Sequence, residues 1–186
     1  MPMLGIMASA ISGNLWAPAG AYDSIATGVV DVSGNASITF SSIPQTYTHL
    51  QIRAIGKCTA AVTIRNSGIQ INGDTGSNYS IHELSGNGAS TAAAGVASQT
   101  STEGFIVPGT SFGASIFGVT IIDILDYTNT NKYKTLRALS GVDNNGSGSI
   151  YMYSGAWLST AAITSINLAP ASNYVQYSSF ALYGIK

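Results

Sequence analysis

Charge is what this sequence has least of. Asp, Glu, Lys and Arg make up 8% of it, against roughly 25% in ordinary soluble domains. Seven basic and eight acidic residues leave a formal net charge of -1, and no Lys or Arg precedes Arg53. A nucleic-acid binder needs a basic face to displace counterions from phosphates, and this chain cannot build one. An anionic membrane surface is excluded as a partner on the same ground. The single cysteine, Cys58, rules out an internal disulfide and a thiolate metal cluster. It sits in "RAIGKCTAAV", at the end of an apparent strand, which predicts a buried thiol. Apolar runs long enough to cross a bilayer are missing. The N-terminal "MPMLGIMASAISGNLW" lacks the positive region that a secretion signal carries ahead of its apolar centre. The expected compartment is the cytoplasm, or something assembled there.

What is present is β-type patterning. The 186 residues suit one domain with a sizeable core. Short apolar runs alternate with Gly, Asn, Asp and Ser punctuation. "SIATGVVDV" (24–32) and "ASITFSSI" (36–43) predict a hairpin across Ser33-Gly34-Asn35. "YTHLQIRAIG" sets Thr48, Leu50, Ile52 and Ala54 on one face and Tyr47, His49, Gln51 and Arg53 on the other, which means one face on a core. "AVTIR" and "GIQI" predict two strands flanking Asn66-Ser67-Gly68. "ASTAAAGVASQTST" lacks bulky apolar residues and reads as an exposed loop, with a short helix as the other option. "ASIFGVTIIDILDY" (114–127) is the most hydrophobic segment and predicts a central strand covered on both faces. "YKTLRALSGV", "GSIYMYSGAW", "ITSINL" and "VQYSSFALYGI" complete about ten strands at sandwich or barrel spacing. The fold class is all-β, an antiparallel sandwich over residues 23–186. Residues 1–22 differ: Leu4, Ile6, Met7, Ile11 and Trp16 sit among Gly, Pro and small residues without strand alternation. An apolar arm of this kind must lie on its own sandwich, a sister subunit or another protein.

Catalytic material is sparse. His49 and His82 form no H-x-x-x-H or H-x-H pair, so no metal is expected of them. "GTSFG" (109–113) matches the G-x-S-x-G nucleophile elbow, but a strand-like run follows where the motif needs a helix. "DNNGSG" (143–148) matches the first half of a calcium loop through Asp143, Asn145 and Ser147. Ser154 then stands where the bidentate Glu belongs. Calcium held by other oxygens and a Gly-rich hairpin turn both remain open there, the turn being the plainer. Asp74, Glu83, Glu103, Asp123, Asp126 and Asp143 are the carboxylates a glycoside hydrolase would draw on, with nothing in the spacing to pair two of them. No pattern asks for a cofactor.

Binding surface is better supplied. Ten tyrosines and two tryptophans are scattered through polar stretches, and Tyr offers rigid amphipathic contact area. "INGDTGSNYSIHELSGNG" (71–88) is turn chemistry followed by a short strand. Asp74, Asn78, Tyr79 and His82, with Asp143 and Asn145 from the later turn, are the expected interface or outer-loop residues. So little net repulsion favours association.

In order along the chain, "MLGIMAS", "YDSIAT", "FSSIPQTYTHLQIR", "INGDTGSNYS", "DYTNTNKYKTLRALSG", "SGAWLSTAAITSI" and "SSFALYGIK" resemble a group of tailed-bacteriophage virion proteins. These are described as capsid decoration, head-fibre or tail-fibre-like. The resemblance implies a non-enzymatic, jelly-roll-like β-sandwich that assembles as an oligomer, commonly a homotrimer, on the particle. It implies the major capsid protein as partner for a decoration (cement) protein and a host glycan or receptor for a fibre module. In the decoration reading the apolar residues of the arm are expected to clamp the capsid protein or to swap between protomers. It carries over no catalytic residue. The implied location is the virion, assembled in the host cytoplasm.

Overall fold

The computed structural model describes residues 21–186. The arm residues Leu4, Ile6, Met7, Ile11 and Trp16 lie outside them. Twelve strands run along the described chain: β1 (Tyr22–Val29), β2 (Ile38–Phe40), β3 (His49–Gly56), β4 (Ile64–Ile71), β5 (Tyr79–Gly86), β6 (Thr91–Gln99), β7 (Thr102–Pro108), β8 (Gly118–Ile124), β9 (Lys134–Asn144), β10 (Ser147–Trp157), β11 (Ile166–Ala169) and β12 (Ser179–Ile185). They form two antiparallel sheets, one of eight strands in the order β1-β12-β3-β8-β9-β10-β5-β6 and one of four in the order β2-β11-β4-β7. The all-β sandwich predicted from the alternation is therefore present.

The pairings β1·β12, β2·β11, β3·β8 and β4·β7 match each early strand with a late one. That is one long hairpin rolled up, the strand order of a jelly roll. Strands β5–β6 and β9–β10 are additions to it. Both extend the same sheet beyond β8, so the large sheet outgrows the small one. Its far strands have a covered inner face only as far as β7 reaches; β7 packs on β8, β9, β10 and β5. The last strand, β6, is exposed from Thr91 to Ser98.

The core lies between the sheets. Leu50, Ile52, Ile122, Ile124, Leu136 and Leu182 from the large sheet meet Ile69, Ile71, Ile106, Ile166 and Leu168 from the small one, all at most 2% exposed. Phe180 packs edge-on against Phe105, with ring centres 6.5 Å apart, and against Tyr174 at 4.7 Å. Most buried polar groups are paired, as burial demands: Thr120 and Ser140 share a 2.7 Å hydroxyl contact, and Ser67 meets the Tyr174 hydroxyl at 2.7 Å. The buried Ser172 hydroxyl has no partner among the described residues. Cys58 is buried, as its run predicts. Two lysines are buried without a carboxylate. The Lys134 ammonium donates to the carbonyls of Asn129, Lys132 and Thr160, and Lys57 to those of Gly109, Gly113 and Ile116. Burial pushes both amines below their ordinary range. Among the described residues no helix is long and apolar enough to cross a membrane.

Four sequence expectations are corrected. β1 and β2 form no hairpin: β1 pairs with β12, and the chain crosses to the other sheet at Ser33-Gly34-Asn35. The two runs around Asn66-Ser67-Gly68 are one strand, β4, with a register shift at Ser67/Gly68. Residues 91–99, expected as loop or helix, are strand β6, held by backbone pairing with β5 despite their small side chains. β8 does lie inside the large sheet, but the described residues cover only one of its faces: Val119 and Ile121 are exposed.

Candidate interaction surface

That uncovered face is the main feature of the molecule. Strand alternation sends every second side chain of the large sheet away from the core. Cross-strand register then lines those residues up in rows. One row runs Arg53, Ile121, Leu139, Met152, Leu84, Ala93 across β3, β8, β9, β10, β5 and β6. The next runs Ile55, Val119, Gly141, Ile150, Gly86, Thr91. Seven large apolar side chains stand in these two rows, between 41% and 57% exposed. A solvent-facing sheet surface ordinarily alternates to polar residues. This one does not.

A third row is polar: Tyr183, Gln51, Asp123, Arg137, Ser154, His82. Its members are tied together. The Gln51 amide donates to Asp123 at 2.8 Å, Arg137 donates to the other Asp123 oxygen at 3.2 Å, and Arg53 donates to the Gln51 carbonyl at 2.8 Å. Arg53 also lies over the rings of Tyr22 and Tyr183, 5.3 and 5.4 Å from their centres. Between the polar ladder and the apolar rows runs a groove of about 790 Å³, lined by Gln51, Asp123, Arg137, Leu139, Met152 and Leu84 among others. An apolar centre with a polar, hydrogen-bonded border is the composition of a protein interface.

No family model, curated protein or solved structure matches the chain.

The residues singled out by sequence divide in two. Asp74, Asn78 and Tyr79 are brought together, but as the frame of the β4–β5 turn. The Asp74 carboxylate accepts from the Trp157 indole at 2.7 Å, the Asn78 amide at 2.9 Å and the Gly76 N–H at 2.8 Å. Those donors hold its carboxyl below the usual carboxylate range. Tyr79 is buried; its hydroxyl accepts from Ile71 N–H and donates to the Asp74 carbonyl at 3.1 Å. An outer or interface location for Tyr79 is thereby corrected, because its ring fills the core. Asp143 and Asn145 belong to the β9–β10 turn. Asn145 and Gly146 both have positive φ, 48° and 100°, the two-residue turn that suits a hairpin, and Asp143 accepts from the Asn145 N–H at 3.0 Å. Only His82 stands on the outer sheet face. Its ring covers Gly95, where an added Cβ would come within 2.8 Å of it.

Most of the chain's carboxylates hold structural partners. Asp23 pairs with Lys186 at 2.7 Å, Asp123 with Arg137, and Asp126 with Lys132 and with His49, whose Nδ1 accepts the Asp126 N–H at 3.0 Å. The two glutamates both act on Tyr153: burial first, then Glu83 and Glu103, push its hydroxyl well above the ordinary range. Burial also raises Glu103, which accepts from Asn66 at 2.6 Å. Among the described residues no three His, Cys, Asp or Glu side chains gather as a metal site. Gly109–Gly113 forms a single 3-10 turn at Thr110–Phe112 pinned by Lys57, and strand β8 follows it.

Sequence reasoning missed the apolar rows as a surface. The signal was there: Val119 and Ile121, Leu139, and Ile150 and Met152 put apolar residues on both faces of consecutive strands. The run 114–127 reads as a strand with two covered faces, whereas the described chain covers only one of them.

Proposed function

We propose that the chain is a non-enzymatic structural protein of a tailed-bacteriophage virion, a capsid decoration (cement) protein that acts as an oligomer. It seats the outer face of its large sheet on the major capsid protein of the assembled shell. The observation that carries this is the pair of apolar rows, with a bonded polar border, that the described chain leaves uncovered. Magnitudes favour an oligomer. Covering seven half-exposed apolar side chains is worth on the order of 1 kcal/mol each. Association costs roughly 4–15 kcal/mol in lost freedom, so one copy holds weakly. Several copies in one particle-bound oligomer multiply weak contacts into firm attachment. A subunit that binds the lattice and not its separated parts stabilises the shell by mass action. Low net charge suits a surface meant to be covered.

The alternative, a fibre module gripping a host glycan, has exposed Tyr133 and Tyr177 to offer. They stand at opposite ends of the strands, Tyr133 before β9 and Tyr177 before β12, and make no shared platform. Co-sedimentation with shells stripped of the protein tests the proposal. Wild type binds saturably, and Leu139→Lys, a change on the outer face alone, binds at least tenfold more weakly with an unchanged circular dichroism spectrum. Equal binding by the two would contradict it.

A further inference from the structure

The four ends of the two sheets are not alike. An open strand edge is a template for pairing with another chain, and proteins blunt it with brevity, charge, proline or bulges. The β2 edge has three residues. The β7 edge carries Glu103 and Pro108, and most of that strand is buried beneath the large sheet. The β1 edge carries Asp23, ion-paired to Lys186, and a register shift between Ser24 and Ala26. The β6 edge has none of these defences over most of its length. "TAAAGVASQ" spans nine residues without a charge or a proline. Its irregularity is confined to one end, where Ser98 has φ 57° and the register with β5 shifts between Tyr79 and Ile81. Its inward side chains, Ala92, Ala94 and Val96, are exposed as well, because the small sheet ends before it.

We infer that β6 is a self-association edge: it pairs antiparallel with β6 of a second copy, joining two eight-stranded sheets about a two-fold axis. Three features of the strand select a second copy as the occupant. The strand is uncharged, so two identical edges meet without like-charge repulsion. Its residues are small, so side chains on neither face obstruct the approach. Two copies of one regular segment also satisfy each other's free N–H and C=O groups symmetrically, as an isologous contact requires. The consequence is geometric. Ala93 of β6 ends the apolar row that runs through Leu84, Met152 and Leu139, so pairing makes the outer faces of two copies one continuous surface. The inference does not depend on what that surface binds.

Sedimentation of the full chain over a concentration series tests it. Wild type is expected to show a reversible dimer. Ala92→Lys combined with Ala94→Lys puts like charges along the paired edge at exposed positions and is expected to weaken it at least tenfold. Thr27→Lys, on the β1 edge, is expected to leave it unchanged. A monomer at every concentration would overturn the inference. So would a dimer indifferent to the β6 lysines, or one lost on removing residues 1–20, which would make the arm the occupant. Cysteines placed singly at 92–96 guard against a misfolded lysine variant: two-fold pairing predicts disulfide dimers only near one centre of symmetry, whereas uniform or absent cross-linking contradicts it. Cys58 is buried and silent.

Discussion

At the scale of single residues, Asp74 shows how a motif that looks like a ligand site becomes architecture. Its neighbours in sequence, Asn78 and Gly76, were legible as partners in a turn. Trp157 was not, because it reaches Asp74 from 83 positions away, and only the pairing of β10 with β5 brings the two together. The pH consequence has a definite sign. Asp74 is held below its ordinary value of 3.8, chiefly by the Trp157 indole and then by Asn78 and Gly76. A carboxyl with a depressed folded-state pKa contributes stability that is present above the unfolded value and lost as pH falls through the folded one. Wild type is therefore expected to lose stability on acidification below about pH 4, with a change in Trp157 emission. Asp74→Asn is expected to be less stable at neutral pH and to show a shallower acid slope. Identical acid profiles for the two would refute the assignment.

Among the elements, legibility followed alternation. "YTHLQIRAIG" became β3 with Leu50, Ile52 and Ala54 inward, as its period-2 pattern requires. The Asn145-Gly146 turn was likewise readable from composition. β6 was not, since a strand of Ala, Gly, Ser and Thr has no apolar period and is specified by its partner β5 instead. The false hairpin at Ser33-Gly34-Asn35 has a different cause: turn chemistry says that the chain turns, not which strand it turns toward. Sheet membership was set by β12, at the far end of the sequence. The β9–β10 turn gives the prediction at this scale. Gly146 has φ 100° and nothing within 4 Å of an added Cβ, so Gly146→Ala adds backbone strain without a clash. The expected loss is about 1–3 kcal/mol, read as a lower urea midpoint. An unchanged midpoint would mean that the turn does not hold this conformation.

For the whole molecule, the sequence demands more cover than the described chain supplies. Val119, Ile121, Leu139, Ile150 and Met152 belong to strands whose inner faces already fill a core, yet their outer faces are apolar too. Contiguous exposed patches of this sort mark interaction sites. Two separate contacts are proposed, the sheet face toward the shell and the β6 edge toward a second copy. A homotrimer, which the phage resemblance implies, would have to form elsewhere, because antiparallel pairing of one strand with itself is two-fold. The decisive measurement is thiol labelling of Met152→Cys, which places one reactive group in the middle of the outer face while Cys58 stays buried. In the free protein the thiol is expected to react at an exposed-site rate, and on intact particles at least tenfold more slowly. Labelling on particles as fast as in the free protein would mean that the face remains open to solvent, and the central claim would fail.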